Sequence, residues 1–236
     1  MRLPVLPYEF VEDAFSKRRF LIDGSGGLFS KGPAVRGWVA GVPSCVLGFS
    51  TICDRSSYTL IPATKCERVI TIANDREHVM LAATLKKVFC WGGGQNGSLG
   101  QVAIEGSGVQ LEPKCVFSIP EASSEVIVQI CGIYRSSALL TSHGRLYTWG
   151  CSRMGAFHGK SLPVTFPAIP QAALKLDIVY IHSSGIGKLV VVTRQGDVLQ
   201  ASDALEWAKS ENTIQQVLDM AIKQRQFQLN LILKIF

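Results

Sequence analysis

Seven cysteines and four histidines are the residues best able to build a chemical site, and their spacing fits neither a metal centre nor a catalytic set. No two cysteines have the CxxC spacing that zinc sites use. No Ser/His/Asp set or nucleophile elbow stands out. Cys90, Cys115 and Cys131 lie within apolar runs, where a thiol packs as a small hydrophobe. The odd number of cysteines and this placement predict a reducing compartment.

The histidines are isolated from one another along the chain and have no metal-ligand spacing. They are His78, His143, His158 and His182. We expect His143 in a hairpin turn, and His158 and His182 in loops.

Two glycine-rich segments resemble phosphate loops only in composition. The run GGGQNGSLG from Gly92 lacks the Lys-Ser/Thr pair and the strand-to-helix setting of such a loop. The segment GSGG at 24–27 is typical of a hairpin turn. The sequence therefore predicts no catalytic residue, no metal ligand and no cofactor, and it favours a non-enzymatic role.

The composition is that of a well-packed domain with a small, evenly spread positive charge. Of 236 residues, 47% are hydrophobic and only 18% are charged, which excludes a mainly disordered chain. The net charge of +6 has no dense basic arm, because its strongest cluster is Lys17, Arg18 and Arg19. This distribution argues against sequence-specific nucleic-acid recognition and leaves chromatin as a weakly favoured partner. No signal peptide or membrane-length apolar run is visible, so we expect no membrane insertion and a cytoplasmic or nuclear protein.

An internal repeat organises most of the chain. The segment GRLYTWGCSRMGAFHG (144–159) matches GGLFSKGPAVRGWVAG (26–41), which aligns Gly37 with Gly155. KKVFCWGGGQNGSLG and GDVLQAS supply two further copies. The period is about 50–60 residues. The anchors of the four copies are Leu28, Val88, Leu146 and Val198.

Each repeat contains four short apolar strands. A strand begins ten residues before every anchor, as in RRFLID, HVMLAAT, SSALLTS and KLVVVTR. A further apolar segment and a short proline-marked strand precede it. Such sheets have apolar residues on both faces and bury them by stacking on one another. Within LYTWG, Tyr147 and Trp149 are expected on one face, and Leu146 and Thr148 on the other. The prediction is an all-β protein: a partial β-propeller of about four four-stranded blades over 1–202, followed by a C-terminal helical tail at 203–236.

The repeat resembles that of the regulator of chromosome condensation family. Its best copy is VITIANDREHVMLAATLKKVFCWGGGQNGSLG, from Val69 to Gly100. The resemblance implies that His78 makes a structural hydrogen bond and that tryptophan and glycine positions define the blades. Lys31 and Ala201 depart from the expected tryptophan. The structural repeat positions are His78, Trp91, Gly92, Gly97, Gly100, Trp149, Gly150 and Gly155.

The resemblance implies a seven-bladed propeller, of which this chain holds about half. The chain is then a fragment or short product, or it closes with partners, or it is an open arc whose strand edges are exposed.

The tail has a different pattern. Helical spacing predicts a helix over 213–224, and the alternation in FQLNLILKIF predicts a strand or a continuation of that helix. The tail is interpreted as a cap over the last blade, with a partner-binding amphipathic helix or an artificial terminus as alternatives.

Three functions follow from the resemblance and the charge. The first is a protein-binding scaffold, with contacts made by loops and the blades as support. The second is guanine-nucleotide exchange on a small GTPase, the activity of the founding family member, for which no motif here identifies the residues. The third is association with chromatin through the basic excess.

Overall fold

The structure of the chain, a computed structural model, describes residues 8–11, 18–39, 42–45, 47–74, 79–93, 97–101, 109–133, 135–150, 164–170, 173–183, 188–201, 207–209, 216 and 219. The architecture below concerns these residues.

The described strands form four antiparallel four-stranded sheets, which confirms the predicted partial propeller. Blade 1 contains β1 (Tyr8–Val11), β2 (Arg19–Ile22), β3 (Leu28–Gly32) and β6 (Arg55–Leu60). Blade 2 contains β7 (Thr71–Asn74), β8 (Val79–Ala83), β9 (Lys87–Gly93) and β10 (Val109–Ser118). Blade 3 contains β11 (Ile127–Ile133), β12 (Ser136–Thr141), β13 (Leu146–Gly150) and β14 (Val164–Ala168). Blade 4 contains β15 (Ile178–Ser183), β16 (Leu189–Thr193), β17 (Val198–Ala201) and β18 (Trp207–Lys209).

Two elements lie outside the four sheets. The hairpin of β4 (Val35–Val39) and β5 (Val42–Cys45) is inserted between β3 and β6, and β5 contacts β9 and β10 of blade 2. A 3-10 helix, η1 (Pro62–Thr64), connects blade 1 to blade 2.

Successive blades bury their faces against one another. The cluster between blades 1 and 2 includes Phe20 and Leu28 on one side and Met80 and Trp91 on the other. Equivalent clusters join blade 2 to blade 3 and blade 3 to blade 4. All of β8 is buried, because its alternate residues pack on blade 1 and on blade 3. The strand β11 contacts both β7 and β15, so the first strands of these blades lie side by side.

Three of the four blades share one hairpin turn between their second and third strands. Asp23, Thr141 and Thr193 each donate their N–H to the carbonyl oxygen four residues later. A positive-φ glycine stands at the fourth position of each turn, as predicted for the segment at 24–27. These glycines are Gly26, Gly144 and Gly196.

Blade 2 has a hairpin that is one residue shorter. There, the N–H of Thr84 donates to the carbonyl oxygen of Lys87. Consequently Val79, opposite Gly92, is the structural equivalent of Ser136, opposite Gly150. The sequence prediction, which places this strand ten residues before the anchor, gives His78 instead of Val79. His78 itself lies outside the described residues.

Blade boundaries differ from the sequence units in two ways. Each proline-marked strand pairs with the third strand of the preceding blade, as β10 does with β9. In addition, β18 extends blade 4 to Lys209, beyond the predicted boundary at 202. The expected tail helix falls almost wholly outside the described residues, of which Gln216 and Asp219 are helical.

Candidate functional site

The repeat's tryptophan position is a scaffold position inside the blades. Trp91 and Trp149 are completely buried, and each faces the preceding blade. Tyr147 packs in the same cluster as Trp149, whereas Leu146 lies in the cluster toward blade 4, as the alternation predicts. Cross-strand register places Lys31 at the equivalent position of blade 1, opposite Arg19. In blade 4 the position belongs to Ala201, one residue beyond Gln200, which pairs with Val190.

Each buried tryptophan contacts a loop of the blade before it. The indole Nε1 of Trp149 donates a 3.1 Å hydrogen bond to the carbonyl oxygen of Ser98. Gly100, with φ of +68°, lies against the same indole, and a Cβ there would be 2.9 Å from Nε1. Gly48 occupies the matching place against Trp91. The Gly-x-Leu-Gly motif therefore fixes one blade to the next.

Blade 1 carries an insertion between its tryptophan position and Gly48. Gly37 was matched to Gly155, but Gly37 lies in β4 of the inserted hairpin. In blade 1 the counterpart of Gly100 is Gly48, which comes after the inserted hairpin and follows the buried Leu47. Gly155 lies outside the described residues.

The glycine after the tryptophan position has a steric role. Gly32, Gly92 and Gly150 all have positive φ, between 106° and 126°. A Cβ on Gly150 would be 2.5 Å from Cα of Ser136 and 2.6 Å from the carbonyl oxygen of Arg135. Only glycine allows the two strands to approach this closely. Gly97 also has positive φ and lies in the turn that leads to Gly100.

The described residues hold no group of three or more His, Cys, Asp or Glu side chains arranged to bind a metal. Cys90 and Cys131 are buried as expected, whereas Cys115 is exposed. Partial desolvation still raises the pKa of the Cys115 thiol, which makes it a poor nucleophile at neutral pH. His143 lies in an exposed turn, as expected. His182 was expected in a loop but is buried in β15, where its ring stacks near Tyr180. An isolated histidine gives no periodic signal that would have distinguished the two settings.

Equivalent acidic residues carry ion pairs at the hairpin end of blades 2 and 3. Glu67 binds the ammonium of Lys87 at 2.6 Å, and both side chains are partly exposed. Glu125 is buried, accepts a hydrogen bond from Thr141 Oγ1, and binds the guanidinium of Arg145 at 3.2 Å. These ion pairs and the hydrogen bond from Thr141 give the carboxylates of Glu67 and Glu125 a structural role.

The loop between β3 and β6 of blade 1 has the features of an interaction surface. Three contacts hold this loop in place. Asp54 Oδ1 accepts a 2.8 Å hydrogen bond from the N–H of Ala34, and Ser30 Oγ donates one to the carbonyl oxygen of Leu47. The Arg55 guanidinium lies 4.4 Å above the Phe49 ring. Residues 50–54 are exposed, and Ile52 is 48% accessible. Leu47 of this loop and Leu99 of the corresponding loop of blade 2 occupy equivalent positions, and both are buried. Sequence reasoning missed Ile52, because an isolated apolar residue in a loop carries no pattern.

A second exposed surface is the outward face of blade 1, which is the face that points away from blade 2. Leu21, Phe29 and Leu60 are paired across β2, β3 and β6 and are only partly buried. Beside them, the ammonium of Lys31 lies 4.1 Å above the Tyr58 ring.

Within the part of the chain that the structure covers, no helix is long and apolar enough to span a bilayer.

Comparison with known sequences finds relatives among large ubiquitin ligases. No protein-family model matches the chain. The human E3 ubiquitin-protein ligase HERC2 is 31% identical over 157 residues, which are 64% of this chain and 3% of that protein. The mouse protein of the same name matches equally. The chain thus spans a small fraction of the length of these relatives.

Comparison with solved structures finds the same fold. Human WBSCR16 superposes with a TM-score of 0.59 at 18% identity, over 81% of this chain and 50% of that one. Yeast RCC1 (Prp20), in its complex with Kap60, gives a TM-score of 0.59 at 16% identity. That match covers 88% of this chain and 55% of the yeast chain.

Proposed function

Because this chain is a partial, divergent member of the regulator of chromosome condensation repeat family, we propose that it is a protein-interaction scaffold. Its contact surface is the loop between β3 and β6 of blade 1. Within this proposal the protein acts inside the cell, and its partners are other proteins.

The observation that carries this proposal is the contrast between the repeat residues and this loop. Trp91, Trp149 and Gly100 are buried in the contacts between blades, so a partner protein cannot reach them. The blade 1 loop instead presents Ile52 to solvent from an anchored base. Rigid loops with apolar tips are a common source of binding energy at protein interfaces, whereas a mobile loop would lose entropy on binding.

The electrostatics of the loop supports a protein partner over a nucleic acid. Asp54 and Arg55 lie next to each other and both have structural contacts, to Ala34 and to Phe49. The loop therefore lacks the cluster of cations that a phosphate backbone requires.

The test is an affinity capture with the full chain and two charge substitutions. Ile52→Glu places a charge at the loop tip and should abolish capture of the specific partners, which are identified by mass spectrometry. Leu174→Glu is the matched control, since Leu174 is 65% exposed at the hairpin end of the blades, away from the loop. Partners that both variants retain would contradict the proposal for this loop.

The alternative function is guanine-nucleotide exchange on a small GTPase, or part of such an exchange factor. The hairpin β4–β5, which is part of the same connection between β3 and β6, favours it, because among the described strands only these two lie outside the blades. Exchange requires an element that displaces loops of the GTPase and needs no covalent catalyst. The test is release of a fluorescent guanine nucleotide from a panel of purified GTPases. Faster nucleotide release that is lost when residues 35–45 are replaced by a short glycine linker would establish exchange by this hairpin. Unchanged nucleotide release would leave the scaffold function as the remaining proposal.

A further inference from the structure

The loop between β3 and β6 of blade 1 carries a hydroxyl group directly beside its apolar tip. Thr51 precedes Ile52, and residues 50–54 are all exposed. Within the described part of the chain, no backbone–backbone hydrogen bond involves residues 50–54. An exposed segment of this kind can enter the active site of a modifying enzyme while the blade stays folded. Thr51 is therefore accessible to chemical modification.

A positive charge is held next to this hydroxyl. Arg55 Nη2 donates to Thr51 Oγ1 at 3.4 Å, and the Arg55 guanidinium lies 4.4 Å above the Phe49 ring. Stacking on a ring uses the face of a guanidinium and leaves its edges for hydrogen bonds. The Phe49 ring therefore restricts the Arg55 side chain while its donors point along the plane of the guanidinium.

No acid neutralises the charge of Arg55. Among the described residues, no carboxylate forms an ion pair with Arg55. Its neighbour Asp54 directs Oδ1 to the N–H of Ala34. The Nε of Arg55 is buried without a hydrogen-bond partner, and the hydrogen bond that its guanidinium makes is the one to Thr51. Since a guanidinium has five N–H donors, Arg55 retains donors for an anion attached to Thr51.

We propose that Thr51 is a phosphorylation site, that Arg55 binds the phosphate, and that this modification weakens partner binding through Ile52. The last step rests on the scaffold function proposed above. In the reaction, Thr51 Oγ1 attacks the γ-phosphorus of ATP, and the bond between that phosphorus and the leaving ADP breaks. The hydroxyl proton passes to a carboxylate of the protein kinase. The products are the phosphate ester of Thr51 and ADP.

The phosphate would change both the charge and the hydrogen bonding of the loop. It carries a charge of about −1.5 to −2 at pH 7 and three acceptor oxygens. Because Arg55 Nη2 is already 3.4 Å from the parent oxygen, these acceptors come within reach of a charge-assisted hydrogen bond. A single guanidinium is enough for a phosphate that is attached to the chain, whereas a nucleic-acid backbone requires several cations. Next to Ile52, an apolar contact would have to desolvate the phosphate, which opposes partner binding.

The site is tested with the full chain, ATP and a panel of purified protein kinases, followed by peptide mass spectrometry. We expect phosphate on Thr51, and Thr51→Val should remove it. Ser57→Ala is the matched control, because Ser57 is also exposed and follows Arg55 by two residues. It should leave the phosphate on Thr51 unchanged. A chain that no kinase of the panel modifies at Thr51 would overturn the assignment.

The role of Arg55 is read by phosphorus NMR on the full chain with phosphothreonine incorporated in place of Thr51. Arg55 should hold the pKa of the phosphate below its value in the Arg55→Gln variant, because a nearby cation favours the more negative form. Arg55→Lys should restore part of the difference. Far-UV circular dichroism should show that all variants are folded. The same phosphate pKa with arginine and with glutamine would overturn the pairing.

Partner capture separates the regulation from the scaffold function. The phosphorylated chain should retain the partners that depend on Ile52 at least about tenfold less well than the unmodified chain. Thr51→Val should keep them after kinase treatment. Undiminished capture by the phosphorylated chain would overturn the regulation, provided that Ile52→Glu abolishes capture. If Ile52→Glu leaves capture intact, the scaffold proposal for this loop and the regulation both fail. Mass spectrometry and NMR then still decide the phosphate site.

Discussion

The side-chain amide of Gln129 makes two hydrogen bonds with the backbone of Ile181, one in each direction. Its Nε2 donates to the carbonyl oxygen at 2.7 Å, and its Oε1 accepts from the N–H at 3.0 Å. Gln129 lies in β11 and Ile181 in β15, the first strands of blades 3 and 4. The amide takes the place of a neighbouring peptide unit, and so it joins two blades that share no backbone ladder.

Gln129→Ala should destabilise the fold by about 1–3 kcal/mol, because it leaves a buried N–H and C=O of Ile181 without their partner. Urea unfolding followed by tryptophan fluorescence measures the change. Gln110→Ala is the control, since the Gln110 amide donates only to the nearby carbonyl of Glu112. That change should cost less than about 0.5 kcal/mol. Equal costs for the two variants would show that the amide does not connect the blades.

Gly100→Ala should cost about 2 kcal/mol or more, for two reasons that act together. The new Cβ would be 2.9 Å from Trp149 Nε1, and a φ of +68° is strained for alanine. The indole should move, so its fluorescence should shift before unfolding begins. Gly24→Ala is the matched control, because no atom lies within 4 Å of its Cβ position. It should be neutral or slightly stabilising, and a comparable loss at both sites would argue against the contact.

Blade number and strand order were predictable from sequence, because period-two burial and turn glycines repeat wherever a blade repeats. The alternation of Tyr147 and Trp149 against Leu146 reflects two different interblade clusters, and the structure confirms it. Equivalence within the repeat was less accessible. One residue fewer in the hairpin of blade 2 shifts the partner of Gly92 to Val79, and no residue type announces a shortened turn.

Inserted and isolated features were the other limit. The hairpin β4–β5 carries Gly37 at the spacing of the repeat, so the sequence comparison matched it to Gly155 and did not identify Gly48 as the counterpart of Gly100. His182 is buried in a strand because its neighbours on β15 are, and not because of its own chemistry. The exposure of Ile52 depends on tertiary contacts that hold its loop in place, and such contacts produce no periodic pattern in the sequence.

Glu125→Ala should cost more stability than Glu67→Ala, although the two residues are equivalent in successive blades. Glu125 is buried and has two partners, Thr141 and Arg145, so its loss leaves a buried hydroxyl without an acceptor and costs about 1–3 kcal/mol. Glu67 and Lys87 are 23% and 38% exposed, and such a pair contributes less than about 1 kcal/mol. Chemical denaturation of both variants measures the difference. A larger cost at Glu67 would contradict the role of burial.

Asp23 should make the stability of blade 1 sensitive to acid. Its pKa is lowered below the ordinary 3.8, chiefly by the hydrogen bond from Ser25 and also by the N–H groups of the turn. A depressed folded-state pKa contributes stability above the unfolded value and loses it as pH falls through the folded value. Asp23→Asn keeps the acceptor but removes the charge, so wild type should be the more stable protein at pH 6. Urea unfolding should show this advantage shrinking below about pH 3.8. An advantage that stays constant down to pH 3 would show that the Asp23 charge is not coupled to folding.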